Sequence, residues 1–385
     1  MKKVVDVFHR VGRIVTNVFF RPVQKGEKNE NLALIQSSGL FNEAWYLAHY
    51  QDVAQAKVDP LLHYLLNGGF EGRDPGSGFS SNWYIHTYLD GKKDGINPLV
   101  HYLKYGKDKG CKLRPDPIIV HQMGKVGSKT VELSLQKAYK NLGIEVSIYH
   151  THALAGFEER RQSALRQEQL GERSAAGTFN ALKYGENVRK KIDEDPNQHW
   201  DIISLVRDPI ARNVGSFFYN LSEYMPGWRE QYANKTLSLD EMQSVFLTMF
   251  PPLSGLDHWF EEQMKAVPAF DIDVYKVPFP CEIGYKIYHG DFQADLLLIR
   301  LENLEQCAEH AMRDFLGLQN FIIHNTNLGE EKEYAELYRA FKKKPLPIEY
   351  VQRIYNMPLS RHFYTDAELR DFAKHWTGLD ILELA

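Results

Sequence analysis

The chain has 385 residues, 43% of them hydrophobic and 25% charged, with a net charge of −4 and a pI near 6.4. That composition is globular, long enough for two domains, and carries no basic excess of the kind nucleic-acid binding needs. Three scattered cysteines without a CxxC pair argue against a disulfide framework or a zinc site and favour a reducing compartment. No run of about 18 apolar residues suits a membrane span, and the start does not read as a signal peptide.

Residues 1–22 place Val4, Val7, Phe8, Val11, Ile14, Val15, Val18 and Phe19 at three- and four-residue spacing, with Lys2, Lys3, Arg10, Arg13 and Arg21 as charge. This predicts a basic amphipathic helix. It either packs on the protein or lies peripherally on an anionic membrane. Residues 24–31 read as a polar linker. From 40 to 113 the chain repeats itself. Phe41, Trp45, Tyr46, Pro60, Leu61, His63, Tyr64, Leu65 and Gly68 recur 38 positions later, from Phe79 to Gly106. Each unit predicts a Trp-Tyr helix, a turn, and a second helix opened by proline and stopped by glycine. Two such units can bury their aromatic faces on each other. His63 and His101 sit beside tyrosines on apolar faces and read as packing groups rather than ligands.

Arg114-Pro115-Asp116-Pro117 marks a boundary. The expected organisation is residues 1–31 as helix and linker, 32–114 as a small all-α repeat domain, and 115–385 as an α/β domain. In the last, strands are predicted at 117–122, 144–149, 200–206, 271–275 and 296–301. Helices are predicted to about 141, through 155–195, over 239–266, and near 331–342, 347–356 and 366–376. Alternating strands and helices imply a doubly wound parallel sheet, whose ligands collect at the carboxyl ends of the strands. Lys125, His152 and Arg207 each follow such an end.

Two segments carry the chemistry. After the first strand comes Gln122-Met123-Gly124-Lys125-Val126-Gly127-Ser128-Lys129-Thr130, and then an amphipathic helix. Glycines permit a tight turn, and the free N–H groups of a helix start face the loop, so residues 124–130 read as an anion cradle. After the third strand comes Arg207-Asp208-Pro209-Ile210-Ala211-Arg212, followed by Gly215 and Ser216. Arg207, Arg212 and Ser216 read as a second anion site. Together the sites suit a nucleotide with phosphates at both ends of its ribose. The first loop lacks the Gly-Lys-Ser/Thr tripeptide of a Walker loop. No His, Asp and Glu cluster has metal-ligand spacing.

These two segments resemble the sulfotransferases that use 3′-phosphoadenosine 5′-phosphosulfate (PAPS), and within them the capsular-polysaccharide-synthesis family. Ile299–Leu304, Asn327–Lys332 and His362-Phe363-Tyr364-Thr365 add to the likeness, which spans about 117–377. The resemblance implies a P-loop-like fold and no metal. It implies that the first loop holds the 5′-phosphosulfate and that the Arg207 segment holds the 3′-phosphate. The family's usual serine position, eight residues after the arginine, is Gly215 here; Ser216 lies about 100° further round the helix. Implied further are Lys125 stabilising the leaving oxygen and a histidine base, His152 ahead of His150, with His258, His289 and Glu302 as weaker alternatives. The expected activity is sulfuryl transfer to a carbohydrate hydroxyl by a cytoplasmic protein, which is peripheral on the inner membrane face if residues 1–22 bind lipid. The repeats would dock polysaccharide-synthesis proteins. Alternatives are a P-loop kinase and an inactive glycan-assembly scaffold.

Overall fold

The computed structural model describes residues 25–91, 95–169, 174–252, 258–290, 293–324 and 332–380. The basic helix expected over 1–22 lies outside them, as do residues 327–331 of the segment likened to the family. The chain divides into two units, Met1–Pro115 with Tyr139–Glu145, and Asp116–Ala138 with Val146–Ala385.

In the first unit the expected linker is helical instead, as the opening turns of Lys25–Ser38. Its polar residues precede Leu32, which packs on the core, and Ile35, which is fully buried, so composition alone misled there. The two 38-residue segments carry the same local structures. Asp59 and Asn97 cap helices that open with Pro60 and Pro98. Tyr46 meets His63 Nδ1 at 3.0 Å, and Tyr84 meets His101 Nδ1 at 2.9 Å. These bonds account for both histidines as packing groups.

Gly68 and Gly106 are not helix stops. Each ends a π-helical turn in right-handed conformation, and the left-handed caps come later, at Gly72 (φ 84°) and Gly110 (φ 71°). Their lack of a side chain serves another purpose. A Cβ at Gly68 would lie 2.1 Å from Tyr46 Oη, and one at Gly106 would lie 2.3 Å from Tyr84 Oη. Gly68→Ala is therefore expected to push the buried phenol off His63 and destabilise this unit by roughly 1–3 kcal/mol, read from its denaturant midpoint. An unchanged midpoint would show that the phenol moves freely.

The second unit is mixed α/β. Its five strands are β1 (Ile118–His121), β2 (Ile148–Thr151), β3 (Trp200–Val206), β4 (Tyr285–His289) and β5 (Ala294–Arg300). They lie in the order β2-β1-β3-β5-β4, all parallel except β4, which is antiparallel to β5. The apolar runs of β1, β3 and β5 are buried central strands, as such runs should be in parallel sheets. β2 begins four residues later than its alternation suggests. Its partner β1 cannot extend backwards, because Pro115 and Pro117 have no N–H to pair. The strand expected at 271–275 is a short 3₁₀ turn. Asp273 accepts the Tyr275 N–H at 3.1 Å, and Asp271 has a left-handed φ of 47°. The edge strand β4 was not anticipated; it is mostly half-exposed and has little pattern to read.

The longer helices are α1 (Ser128–Leu142), α2 (Phe157–Gln169), α3 (Ala176–Glu194), α4 (Pro209–Tyr219), α5 (Leu239–Met249), α6 (Leu304–Leu316), α7 (Ala335–Lys342), α8 (Ile348–Tyr355) and α9 (Asp366–Thr377). Because β1, β2 and β3 are parallel and adjacent, the segments following His121, Thr151 and Val206 leave the same edge of the sheet.

Candidate functional site

Between β1 and α1 the chain must reverse in six residues. Gly124 (φ 89°), Lys125 (φ 59°) and Gly127 (φ 81°) all take left-handed backbone to do so. Lys125 does this with a side chain, at a cost of order 1 kcal/mol. Gly127 is constrained twice, since a Cβ there would lie 2.6 Å from Leu301 Cδ1. Val126 is fully buried, so only its backbone can face a ligand, and Ser128 and Thr130 are nearly buried at the helix start. The Lys125 ammonium rests over the ring of exposed Tyr219, 2.8 Å from its centroid.

Gln122 is the hub beneath this loop. Its Oε1 accepts the Gly124 N–H, which fixes the amide's orientation. Its Nε2 then donates to His152 Nδ1 at 2.7 Å and faces His150 Nε2 at 3.3 Å. His150 is held from its other side, with Nδ1 2.7 Å from Glu132 Oε2. Glu132 also takes Lys129 Nζ at 2.8 Å, and Ser128 Oγ lies 3.1 Å from His150 Nε2. Burial holds the pKa of both histidines below the usual imidazole value. His152 is pushed down to about 4, with His150 adding to the effect, while for His150 the Glu132 carboxylate opposes burial. Both are therefore neutral at pH 7, and the bonds set their tautomers. His150 carries its proton on Nδ1 toward Glu132 and keeps a lone pair on Nε2. His152 spends its Nδ1 lone pair on Gln122. The sequence preference for His152 is therefore reversed in geometry: His150 is the better-placed base.

A depressed folded pKa makes stability present above the unfolded value and lost as pH falls through the folded one. The melting temperature is thus expected to drop between about pH 6.5 and 4, and His152→Asn should flatten that limb. A wild-type curve level through this window would contradict the buried neutral imidazole.

On the second segment, Asp208 caps α4, accepting the Ile210 N–H at 3.0 Å, and Pro209 takes the first helical turn. The buried Asp208 carboxylate also accepts from Tyr355 Oη (2.9 Å) and Trp376 Nε1 (3.0 Å), while its N–H donates to Glu302 Oε1 at 2.7 Å. Glu302, held in turn by Tyr364, is thus a backbone brace. Arg207 Nη1 donates to the Lys125 carbonyl at 3.2 Å, which joins the segment to the loop.

Arg212 is more deeply committed. It donates to Met123 O (2.9 Å), Gly124 O (3.2 Å) and Asn213 Oδ1 (2.9 Å), and burial lowers its pKa to about 10. It holds the loop's shape. Gly215 marks the α4 face toward the loop, since a Cβ there would sit 3.4 Å from Arg207 Nη1 and 3.9 Å from Lys125 Cβ. Ser216 is turned about 100° from that face.

The remaining sequence candidates lie elsewhere. Exposed His258 pairs with Glu261 at 3.1 Å, and His289 pairs with Asp295 at 3.2 Å, at the opposite end of the sheet from the loop. At that same end Asp116, His199 and Asp201 bring one ligand atom each within 4.8 Å of one another, a grouping their sequence spacing hides. His199 also approaches Asp295 at 3.5 Å. Two residues central to the geometry, Gln122 and Glu132, had no assigned role. Glu132 lies one turn beyond Ser128 on α1, but its partner is visible only once β2 is placed beside β1, with Val120 opposite His150.

Residues 233–365 match the model of the NKWYS family, described as "Putative capsular polysaccharide synthesis protein". The matched span holds β4, β5 and the helices as far as Tyr364, and stops short of the loop and of Arg207. No curated protein and no solved structure matches the chain. No described helix is long and apolar enough to cross a membrane.

Proposed function

We propose that the α/β unit is a sulfotransferase that transfers a sulfuryl group from PAPS to a hydroxyl of a polysaccharide or its precursor. The observation that carries this is the bare cradle between the two segments. The loop's left-handed turn feeds an N-terminal helix end, Arg207 reaches the loop from β3, and Gly215 leaves open the volume a side chain would fill. The residues present fit such a nucleotide. Backbone N–H groups of Gly124 to Thr130, with Ser128, Lys129 and Thr130, would hold the 5′ end, and Arg207 the 3′-phosphate. Arg212 acts by bracing the loop, and Ser216 contributes less than its position in sequence suggests. The nucleotide supplies an activated sulfuryl group. Lys125 offers positive charge to the departing oxygen, and a neutral histidine takes the acceptor's proton.

The capsular-polysaccharide family match supports the carbohydrate side of this reading. A P-loop kinase would need the missing Walker tripeptide.

The test is a thermal-shift comparison. The product nucleotide, 3′-phosphoadenosine 5′-phosphate, should stabilise the protein more than ATP or ADP, by about 2.7 kcal/mol at a hundred times its Kd. Equal shifts, or a preference for ATP with magnesium, would overturn the reading. Nucleotide binding without sulfation of any glycan would leave the scaffold.

A further inference from the structure

We infer that the acceptor's sugar ring binds in the pocket beside His150, against Tyr184, and that Glu132 and His150 form the pair that takes its proton. This rests on the sulfotransferase reading and assigns that site's second substrate.

A cavity of about 330 Å³ opens between α1, β2 and α3. Lys129, Glu132, His150, His152 and Tyr184 are among the residues that line it. This is the small end of the range for ligand sites, enough for one sugar unit rather than an extended oligosaccharide. Its walls are unlike one another. Tyr184 on α3 keeps 44% of its surface exposed, an aromatic face with no covering side chain to explain it. The opposite wall is polar, and its Lys129–Glu132 pair balances in charge. A hexopyranose has the matching chemistry, with an apolar C–H face for the ring and a rim of hydroxyls for the polar side.

The polar wall also holds the oriented base. Glu132 fixes His150 Nδ1–H at 2.7 Å, so the Nε2 lone pair is presented near the loop, where Ser128 Oγ holds it at 3.1 Å. The Ser128 hydroxyl is a rotor and can turn away when an acceptor hydroxyl arrives. In the step, the acceptor oxygen bonds to sulfur and its proton passes to His150 Nε2. The S–O bond to the nucleotide's phosphate breaks, and 3′-phosphoadenosine 5′-phosphate leaves with that electron pair. His150 touches the reacting hydroxyl. Glu132 acts through His150 and is a positioning residue.

The full-length protein is tested with methyl hexopyranosides as probes, using saturation-transfer NMR for binding and labelled PAPS for transfer. Ring-proton enhancement should appear in the wild type, vanish in Tyr184→Ala and persist in Tyr184→Phe. Tyr184→Ala should raise the acceptor KM about tenfold and leave kcat within about twofold. His150→Asn should lower kcat by about a hundredfold or more. Glu132→Gln should lower kcat and move the acidic limb of the pH profile to lower pH. Around His150 the carboxylate of Glu132 raises the imidazole pKa while Lys129 lowers it, so removing the carboxylate leaves only the lowering charge.

No enhancement with any probe, or an unchanged KM in Tyr184→Ala, overturns the pocket. Full activity in His150→Asn, or loss confined to His152→Asn, overturns the base. Fluorophosphonate labelling of Ser128 would make Ser128, His150 and Glu132 a nucleophilic triad and also overturn it. The product-nucleotide thermal shift should survive in every variant. Its absence from the wild type would instead remove the parent reading.

Discussion

Lys125→Ala is expected to lower sulfuryl transfer by about 10²- to 10³-fold while leaving the melting temperature and the product-nucleotide shift nearly intact. The size follows from removing a positioned charge from an oxygen that becomes anionic only as the S–O bond breaks. The structure says why the fold should tolerate it. Lys125 lies in the loop with φ 59°, and alanine meets the same left-handed penalty, so backbone strain is unchanged. The lost contact is the cation–π pair with Tyr219, an exposed ring, worth about 0.5–1 kcal/mol. The loop itself is held by others: Arg212 on the Met123 and Gly124 carbonyls, Arg207 on the Lys125 carbonyl, and Gln122 on the Gly124 N–H. The control is Lys125→Gly, which relieves the positive φ. It should be at least as stable as Lys125→Ala and equally slow. Sulfation at the wild-type rate in either variant would remove Lys125 from the mechanism. A collapse of nucleotide binding in both would recast it as a ground-state phosphate ligand.

What the sequence made legible was local. The Gly124–Gly127 turn, the proline at the start of α4, and the three apolar central strands follow from steric rules that act over a few residues. The failures share a different cause. The preference for His152 over His150 depended on hydrogen bonds from Gln122 and Glu132, which are 30 and 18 positions away and become neighbours only through the β1–β2 register. Arg212 read as a ligand for phosphate because guanidinium groups usually are. Only the fold shows its donors spent on loop carbonyls. Gly68 and Gly106 read as stops because glycine often ends helices, whereas here a tyrosine hydroxyl occupies the space where a side chain would go. The departure at Gly215 was visible in the sequence, but its direction was not. The structure turns position 215, and not Ser216, toward Arg207 and Lys125.

Arg300→Met is expected to destabilise the α/β unit by about 3–5 kcal/mol, or roughly 10 °C in melting temperature. Arg300 ends β5 with only 1% of its surface exposed. It pairs with Glu368, donates to the carbonyls of Cys281 (3.1 Å) and Phe363 (3.3 Å), and stacks its guanidinium 4.6 Å from the Tyr364 ring centre. Methionine fills part of the volume but leaves two carbonyls and a carboxylate without their donor, which is the costly half of breaking a buried pair. Glu368 also closes the capping box of α9 with Thr365, so the loss spreads to that helix. It spreads to the site as well. Leu301, the next residue, packs against Gly127, and Glu302 holds the Asp208 N–H that opens α4. The product-nucleotide shift should therefore shrink along with the melting temperature. Acid supplies an independent check. Burial works against the Glu368 carboxylate, but its bond to Arg300 prevails and holds the pKa below the usual 4.5. A carboxylate depressed in the folded state contributes stability above its unfolded pKa and loses it as pH falls through the folded one. The wild type should lose stability below about pH 4.5 more steeply than an Arg300→Met/Glu368→Gln double variant. Glutamine keeps a side-chain acceptor for Thr365, so the double variant should also recover part of the single variant's loss. Equal acid limbs, or a single variant as stable as the wild type, would mean that β5 and the C-terminal helices are held together by packing alone.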